Sequence, residues 1–345
     1  RNYWYRSGVN KTMTAELEGI AARVEEIIGL SAGDFVIDVG CNDGTLLGSY
    51  KNLGVVRVGF EPARNLIRYA EMRAAKVFND FFSAARFQKE FGGVKAKVVT
   101  AVAMFYDLDD PNAFVYDIAR ILHPEGVFII QMSYLPSMLA QNAFDNVCHE
   151  HIEFYALGSL EALLKRHKLE PFDVELNDVN GGSFRIYIRH TGARVGEIEE
   201  GNKRLLDMRA SEEGLRLMEK ATYDAFSRRI EKLRKKTYDF VRSETTKGKK
   251  VYVYGASTKG NTLLQYYSLD ASLITAAAER NPMKWGKKTI GTNIPIISEV
   301  EARQDQPDYF LVLPWHFLPE FLEREKEFRE AGGKFIVPLP EFKVI

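Results

Sequence analysis

The sequence predicts an α/β protein of two doubly wound parallel-sheet domains, the second smaller than the first. Three observations carry that prediction. A short apolar run that ends in glycine and opens into a helical stretch occurs twice, at 35–45 and at 251–267. Apolar runs of strand length alternate with helical stretches after each of them. At 345 residues the chain is long enough for two cores.

At 12–30, Leu17, Ile20, Val24, Ile27 and Ile28 recur at helical spacing, one helix leading into the first domain. Phe35-Val36-Ile37-Asp38-Val39-Gly40 reads as a strand buried on both faces. Further strands are expected at 55–60, 97–102 and 126–131, with a helix at 111–122. The rhythm then changes. A helix at 159–167 precedes strands at 171–176 and 183–189, separated by the turn signal Asn180-Gly181-Gly182. A doubly wound sheet that closes with a hairpin is the usual plan of class I (Rossmann-like) methyltransferases. From 196 to 250 the chain is highly charged and free of proline. Leu215, Met218, Thr222, Phe226, Ile230, Leu233, Thr237 and Phe240 lie three and four apart, which predicts one long amphipathic helix. It reads as a linker packed on a neighbouring domain, with a dimerisation helix as the alternative. Val251-Tyr252-Val253-Tyr254-Gly255 then opens a second unit, with strands expected at 274–278, 309–314 and 335–338. The expected organisation is a cap segment and helix (1–30), a first domain (31–195), a linker helix (196–248) and a Rossmann-like substrate domain (249–345).

Composition sets limits. Lysine plus arginine equal aspartate plus glutamate at 47 each, so no overall basic field draws nucleic acid or an anionic membrane. Two cysteines, Cys41 and Cys148, are too few for a disulfide framework or a four-cysteine zinc site and fit a reducing cytosol. No apolar run reaches the length of a membrane span, and residues 1–5 lack the apolar core of a signal peptide. A cytoplasmic enzyme, monomeric or homodimeric, is expected.

In the first glycine loop, Asp38-Val39-Gly40-Cys41-Asn42-Asp43-Gly44, Asn42 stands where a dinucleotide fingerprint needs its second glycine. That glycine gives the backbone its approach to a pyrophosphate, which S-adenosylmethionine (SAM) lacks. SAM has instead an ammonium that needs acceptors, and Asp38 is placed to help supply them. Glu61 ends the next strand, where an acid accepts both ribose hydroxyls. Phe78-Asn79-Asp80-Phe81 follows at the third strand position, with Asn79 and Asp80 suited to an adenine. Loop, acid and third segment in this order predict SAM binding, with Gly40, Asn42 and Asp43 in the cradle.

Several segments resemble the C-methyltransferases of deoxysugar biosynthesis, which act on nucleotide-linked 4-keto sugars. They are Tyr3-Trp4-Tyr5-Arg6-Ser7-Gly8, Ala103-Met104-Phe105-Tyr106-Asp107-Leu108-Asp109-Asp110-Pro111, His149-Glu150-His151, Gly181-Gly182-Ser183, Gly255-Ala256-Ser257-Thr258-Lys259-Gly260-Asn261, Arg280-Asn281-Pro282 and Val337-Pro338-Leu339-Pro340. The resemblance spans essentially the whole chain. It implies that His151 is a catalytic base, that Glu150 assists it, that Tyr5 closes over the SAM and that Met104 belongs to the cofactor site. Family members usually begin with a small cysteine-rich zinc module, and this chain starts after it. Some carry a tyrosine where Cys148 stands here.

The chemistry asks for such residues. A sugar carbon becomes a nucleophile only when it loses a proton beside a ketone, so a base and polar groups for the developing oxyanion are needed. His149 and His151 flank Glu150 after the strand at 126–131, on the carboxyl side of the sheet. Their i, i+2 spacing does not suit a helical zinc site, and no metal is expected. The second glycine loop fails the P-loop pattern, because Asn261-Thr262 stands where Lys-Ser/Thr is required. Its amides are still placed for a diphosphate, with charge from Lys259 and further contacts from Asn261, Asn180, Arg185, Arg280 and Asn281. The expected function is therefore carbon methylation of a nucleotide-linked keto-deoxysugar. The alternatives are an oxygen or nitrogen acceptor, an NAD-dependent oxidoreductase of nucleotide sugars using 255–261, and a catalytically silent SAM-binding assembly protein.

Overall fold

The computed structural model describes residues 2–196 and 199–345. It divides into two compact units, Arg1–Tyr134 with Glu153–Gly214, and Leu135–Ile152 with Leu215–Ile345.

The first unit holds a seven-stranded sheet formed by β1 (Phe35–Val39), β2 (Val56–Phe60), β3 (Lys76–Phe78), β4 (Ala96–Val102), β5 (Leu122–Ser133), β6 (Leu169–Asn177) and β7 (Ser183–His190). Their order is β3-β2-β1-β4-β5-β7-β6. The first five are parallel, and β7 runs antiparallel to both β5 and β6. This is the doubly wound sheet closed by a hairpin that the sequence predicts. Alternate residues feed opposite cores, as the period of a strand requires. Ile37, Val39, Val99, Ala101, Phe128 and Ile130 enter one core. Val36, Val98, Val127 and Ile129 enter the other, where Leu17, Ile20 and Val24 of the helix Lys11–Ile27 cover them.

The second unit holds a six-stranded sheet of β8 (Val251–Tyr254), β9 (Ala277–Glu279), β10 (Ile296–Ser298), β11 (Tyr309–Val312), β12 (Lys334–Val337) and β13 (Lys343–Val344). Its order is β10-β9-β8-β11-β12-β13, parallel except for β13.

Two features differ from the sequence expectation. The predicted single helix from 196 to 250 is two helices, Glu199–Leu215 and Lys220–Thr246. Arg216 takes a left-handed φ of 52°, and the Thr222 hydroxyl donates to the carbonyls of Leu215 and Arg216, closing the first helix. Met218, which fits the apolar spacing, lies between the helices and is 99% exposed. The spacing continues across the break by coincidence. The second difference is that Leu135–Ile152, after β5, belongs to the second unit, although β5 itself belongs to the first.

Candidate functional site

The first glycine loop is a cradle that only glycine fits. Gly40 (φ +71°) would bring a Cβ within 3.3 Å of Met104, and Gly44 (φ +77°) within 2.9 Å of the Ala70 backbone. Met104 thus lies directly under the loop. Asp38, at the end of β1, is 4% exposed and accepts from the Thr100 hydroxyl at 2.6 Å. Burial pushes its carboxyl up to about 7, against the Thr100 bond and with help from Glu61. Glu61, just after β2, accepts from the Asn42 amide and the Ala63 amide, each at 2.8 Å. Burial raises its carboxyl too, against those two bonds. Two buried acids side by side fit a cationic ligand that carries ribose hydroxyls, which is what SAM presents.

The loop also holds the aromatic N-terminal segment. The Asn42 side chain donates to the Tyr5 carbonyl at 3.2 Å and accepts from the Ser7 amide at 3.1 Å. Asp43 is fully buried and accepts from the Gly8 amide and from Thr45, with Arg6 and Arg73 3.7 Å away. Its carboxylate is therefore committed inside the protein, and its part in the cradle is to anchor the segment bearing Tyr5. Burial and the Asp43 charge push the Tyr5 hydroxyl up to about 12, so it stays protonated. Asn79 donates to the Glu61 carbonyl at 2.9 Å, and Asp80 pairs with Arg86.

Arg185 is corrected by the structure. It is 6% exposed, and its guanidinium donates to Gln131, Glu175, Tyr187 and Glu16. Its charge is neutralised within the first unit, so an anionic substrate finds no open guanidinium there. The side chain of Asn180, a further predicted contact, lies outside the described residues.

The second unit gathers its own set. His149 has a side chain 78% exposed, and its ring lies 4.0 Å from Glu150. His151 is half-buried, and its ring hydrogen-bonds the backbone of Asn146. Burial first, then the Lys259 charge, lower His151 to about 4. It is thus neutral at pH 7, whereas an imidazolium could accept nothing. Asp145 is 2% exposed and accepts from Trp315 Nε1 at 3.1 Å. Burial pushes the Asp145 carboxyl up and the Lys259 ammonium down, and each opposes the shift of the other. His316 lies in the field of Lys259 as well, and burial with that charge lowers it to about 3. Among the described residues, no three His, Cys, Asp or Glu side chains are placed to hold a metal.

In the second glycine loop, Ser257 caps the helix Thr258–Tyr267 by accepting from the Gly260 amide at 3.0 Å. Asn261 Oδ1 is buried with no hydrogen-bond partner among the described residues. Arg280 is exposed, and Asn281 caps its own turn through the Met283 amide. Glu279 ends β9 and accepts from the Ala256 amide of the loop at 3.0 Å and the Asn281 amide at 2.9 Å. Each unit therefore has a carboxylate at or just after the end of its second strand, held by a loop amide and by the amide two residues on. In the sequence Glu61 stands out as a strand-end acid and Glu279 does not, although its place relative to the glycine loop is an available signal. Asp145, Trp315 and His316 carry no local motif.

Sheet order, closing hairpin and acid-lined cradle together define a class I SAM-dependent methyltransferase. The comparisons with known proteins give the narrower class. A family described as methyltransferase domain matches residues 10–173, and one described as C-methyltransferase C-terminal domain matches residues 178–340. The chain is 35% identical over 323 residues to the C-methyltransferase NovU of Streptomyces niveus, covering 93% of this chain and 76% of that protein. It belongs to the C-methyltransferase family and is a SAM-dependent enzyme. Among solved structures, magnesium protoporphyrin IX methyltransferase of Synechocystis PCC 6803 aligns at 11% identity and TM-score 0.40, over 52% of this chain and 79% of that one. The N-methyltransferase NodS of Bradyrhizobium japonicum WM9 aligns at 11% and 0.40, over 53% and 98%. No helix among the described residues is long and apolar enough to cross a membrane.

Proposed function

We propose that this enzyme methylates a carbon beside the ketone of a nucleotide-linked keto-deoxysugar, with His151 as the base. The observation that carries the reading is the neutral, half-buried imidazole of His151, hydrogen-bonded to the backbone of Asn146. Carbon methylation requires an enolate, and an oxygen or nitrogen acceptor requires none. His151 takes the proton as the C–H bond breaks, and the electron pair moves onto the ketone oxygen. SAM, when bound, supplies the electrophilic methyl group that this carbon then takes. Glu150 orients the site, and exposed His149 is the reserve base. Asp38 and Glu61 hold the cofactor's charged and ribose parts, and Tyr5 covers it. The nucleotide diphosphate rests on the helix start at 257–259, beside the Gly255, Ala256 and Gly260 amides that are bonded within the protein, with Asn261 Oδ1 open for a donor and Glu279 for a nucleoside hydroxyl.

The test separates deprotonation from methyl transfer. The enzyme and a keto-sugar nucleotide are incubated in deuterated water with S-adenosylhomocysteine, and loss of the α-proton signal is followed by NMR. The parent protein should exchange that proton, and His151→Ala should lose about 10²–10⁴-fold in rate while still binding S-adenosylhomocysteine. Parental exchange by His151→Ala with loss in His149→Ala makes His149 the base. If neither substitution slows the exchange, another group is the base, and a parent protein that exchanges no α-proton would point away from carbon as the acceptor.

A further inference from the structure

We propose that Lys284 is the cation that fits the second glycine loop to an anionic nucleotide, donating to the substrate's diphosphate and neutralising Glu279 beside it. The proposal rests on the reading of the substrate as a nucleotide-linked sugar.

The two cradles share one plan and differ by one charge. Glu61 accepts from the Asn42 and Ala63 amides, and Glu279 from the Ala256 and Asn281 amides. Among the described residues no lysine or arginine pairs with Glu61, so its carboxylate is held by neutral donors alone. Glu279 has a cation in addition. The Lys284 ammonium donates to Glu279 Oε2 at 3.2 Å and to the Ala256 carbonyl of the glycine loop at 2.7 Å. One side chain thus bridges the loop and the strand-end acid. It cancels, at contact distance, the negative charge that would repel a phosphate there.

The lysine is held in place by its own turn. Pro282 opens the 3₁₀ turn Pro282–Lys284 with its fixed φ, and the Asn281 side chain caps it by accepting from the Met283 amide at 3.0 Å. Trp285 Nε1 donates to the Glu279 carbonyl at 2.7 Å, and the Gly286 amide donates to the Ile296 carbonyl of β10 at 2.9 Å. The turn is tied to two strands of the sheet, so a ligand that meets Lys284 has little backbone left to order.

An anion at this loop needs such a donor. The Gly255, Ala256 and Gly260 amides are spent on Ala278, Glu279 and Ser257. The Lys284 ammonium has three N–H bonds. Ala256 and Glu279 take two, and among the described residues the third has no acceptor. The side chain is 26% exposed, so a ligand can reach it. Glu279 Oε1 takes only the Asn281 amide and keeps a lone pair for a nucleoside hydroxyl. The segment Arg280-Asn281-Pro282 therefore serves the nucleotide through the lysine that follows it, while Arg280 points its charge into solvent-exposed surface and Asn281 caps the turn.

The experiment is calorimetric titration of the full chain with uridine, thymidine, cytidine, guanosine and adenosine diphosphates, with S-adenosylhomocysteine as the control ligand. The parent should bind at least one diphosphate. Lys284→Met should weaken that binding about 10–100-fold, the scale of a lost charge-assisted hydrogen bond, and leave S-adenosylhomocysteine affinity at the parental value. Lys284→Arg should keep most of the affinity. Adding Glu279→Gln to Lys284→Met should return part of the loss, because the carboxylate that the lysine neutralised is gone. If Lys284→Met does not fold, Lys284→Gln removes the charge, keeps a donor for Ala256 and takes its place. Parental diphosphate affinity in the charge-removed variant overturns the proposal. A loss that Glu279→Gln does not relieve makes Lys284 a brace of the loop and overturns it as well. A parent that binds S-adenosylhomocysteine but none of the diphosphates refutes the nucleotide reading itself, and is told apart because that failure appears before any substitution is made.

Discussion

A single carboxyl shows how burial becomes a binding signal. Asp38 is held up to about 7 because its ionised form is poorly solvated beneath the loop. Its folded value lies above its ordinary one of 3.8, so the stability it contributes is complete below pH ~4 and lost as pH rises to about 7. A cationic ligand reverses the balance, because an ammonium or sulfonium beside Asp38 favours the carboxylate. SAM binding near pH ~6.5 is therefore expected to release up to about one proton. Calorimetry in buffers of different ionisation enthalpy measures this, and Asp38→Asn should abolish the release. Binding with no proton release in the parent would remove Asp38 from the cationic end of the site.

At the scale of elements, the glycines separate steric need from tolerance. A Cβ on Gly260 would stand 2.5 Å from Leu313 Cδ1 and 2.9 Å from Leu313 Cβ, where the helix Thr258–Tyr267 meets the end of β11. Leu313 is 1% exposed and has little room to give. Gly260→Ala should destabilise the second unit by about 1–3 kcal/mol, read by urea unfolding. Gly19 is the opposite case. It lies inside the helix Lys11–Ile27, where an added methyl would meet nothing within 4 Å, and its φ is not left-handed. Gly19→Ala should stabilise by about 0.5–1 kcal/mol through helix propensity alone. Equal effects at the two positions would mean that packing at Gly260 is looser than these distances imply.

For the molecule as a whole, two sheets of related plan carry two glycine loops, each paired with a strand-end acid, Glu61 in one and Glu279 in the other. The first cradle contains two raised carboxyls and suits a cation. The second offers loop amides at a helix start and suits an anion. A nucleoside diphosphate without its sugar should therefore compete with the sugar nucleotide in steady-state kinetics and should not compete with SAM. Competition with SAM instead would reassign the loop at 255–260.

The sequence by itself determined the two doubly wound units and the glycine turn at 38–44, and it marked Glu61 and the histidines around Glu150 as candidates, because strand periodicity, glycine turns and strand-end acids are local signals. Tertiary structure decided the rest. The helix break at Arg216 was hidden because apolar spacing of three and four runs through it, while a left-handed φ leaves no trace in that spacing. Arg185 looked like an anion binder until Glu16, Glu175 and Gln131 were found to surround it. Asp145 carries no motif, and its buried hydrogen bond comes from Trp315, a residue far along the chain. His149 and His151 are alike in sequence, yet one is exposed and the other is half-buried in the field of Lys259. Burial and charge at a site are sums over neighbours distant in sequence, so only the folded chain assigns them.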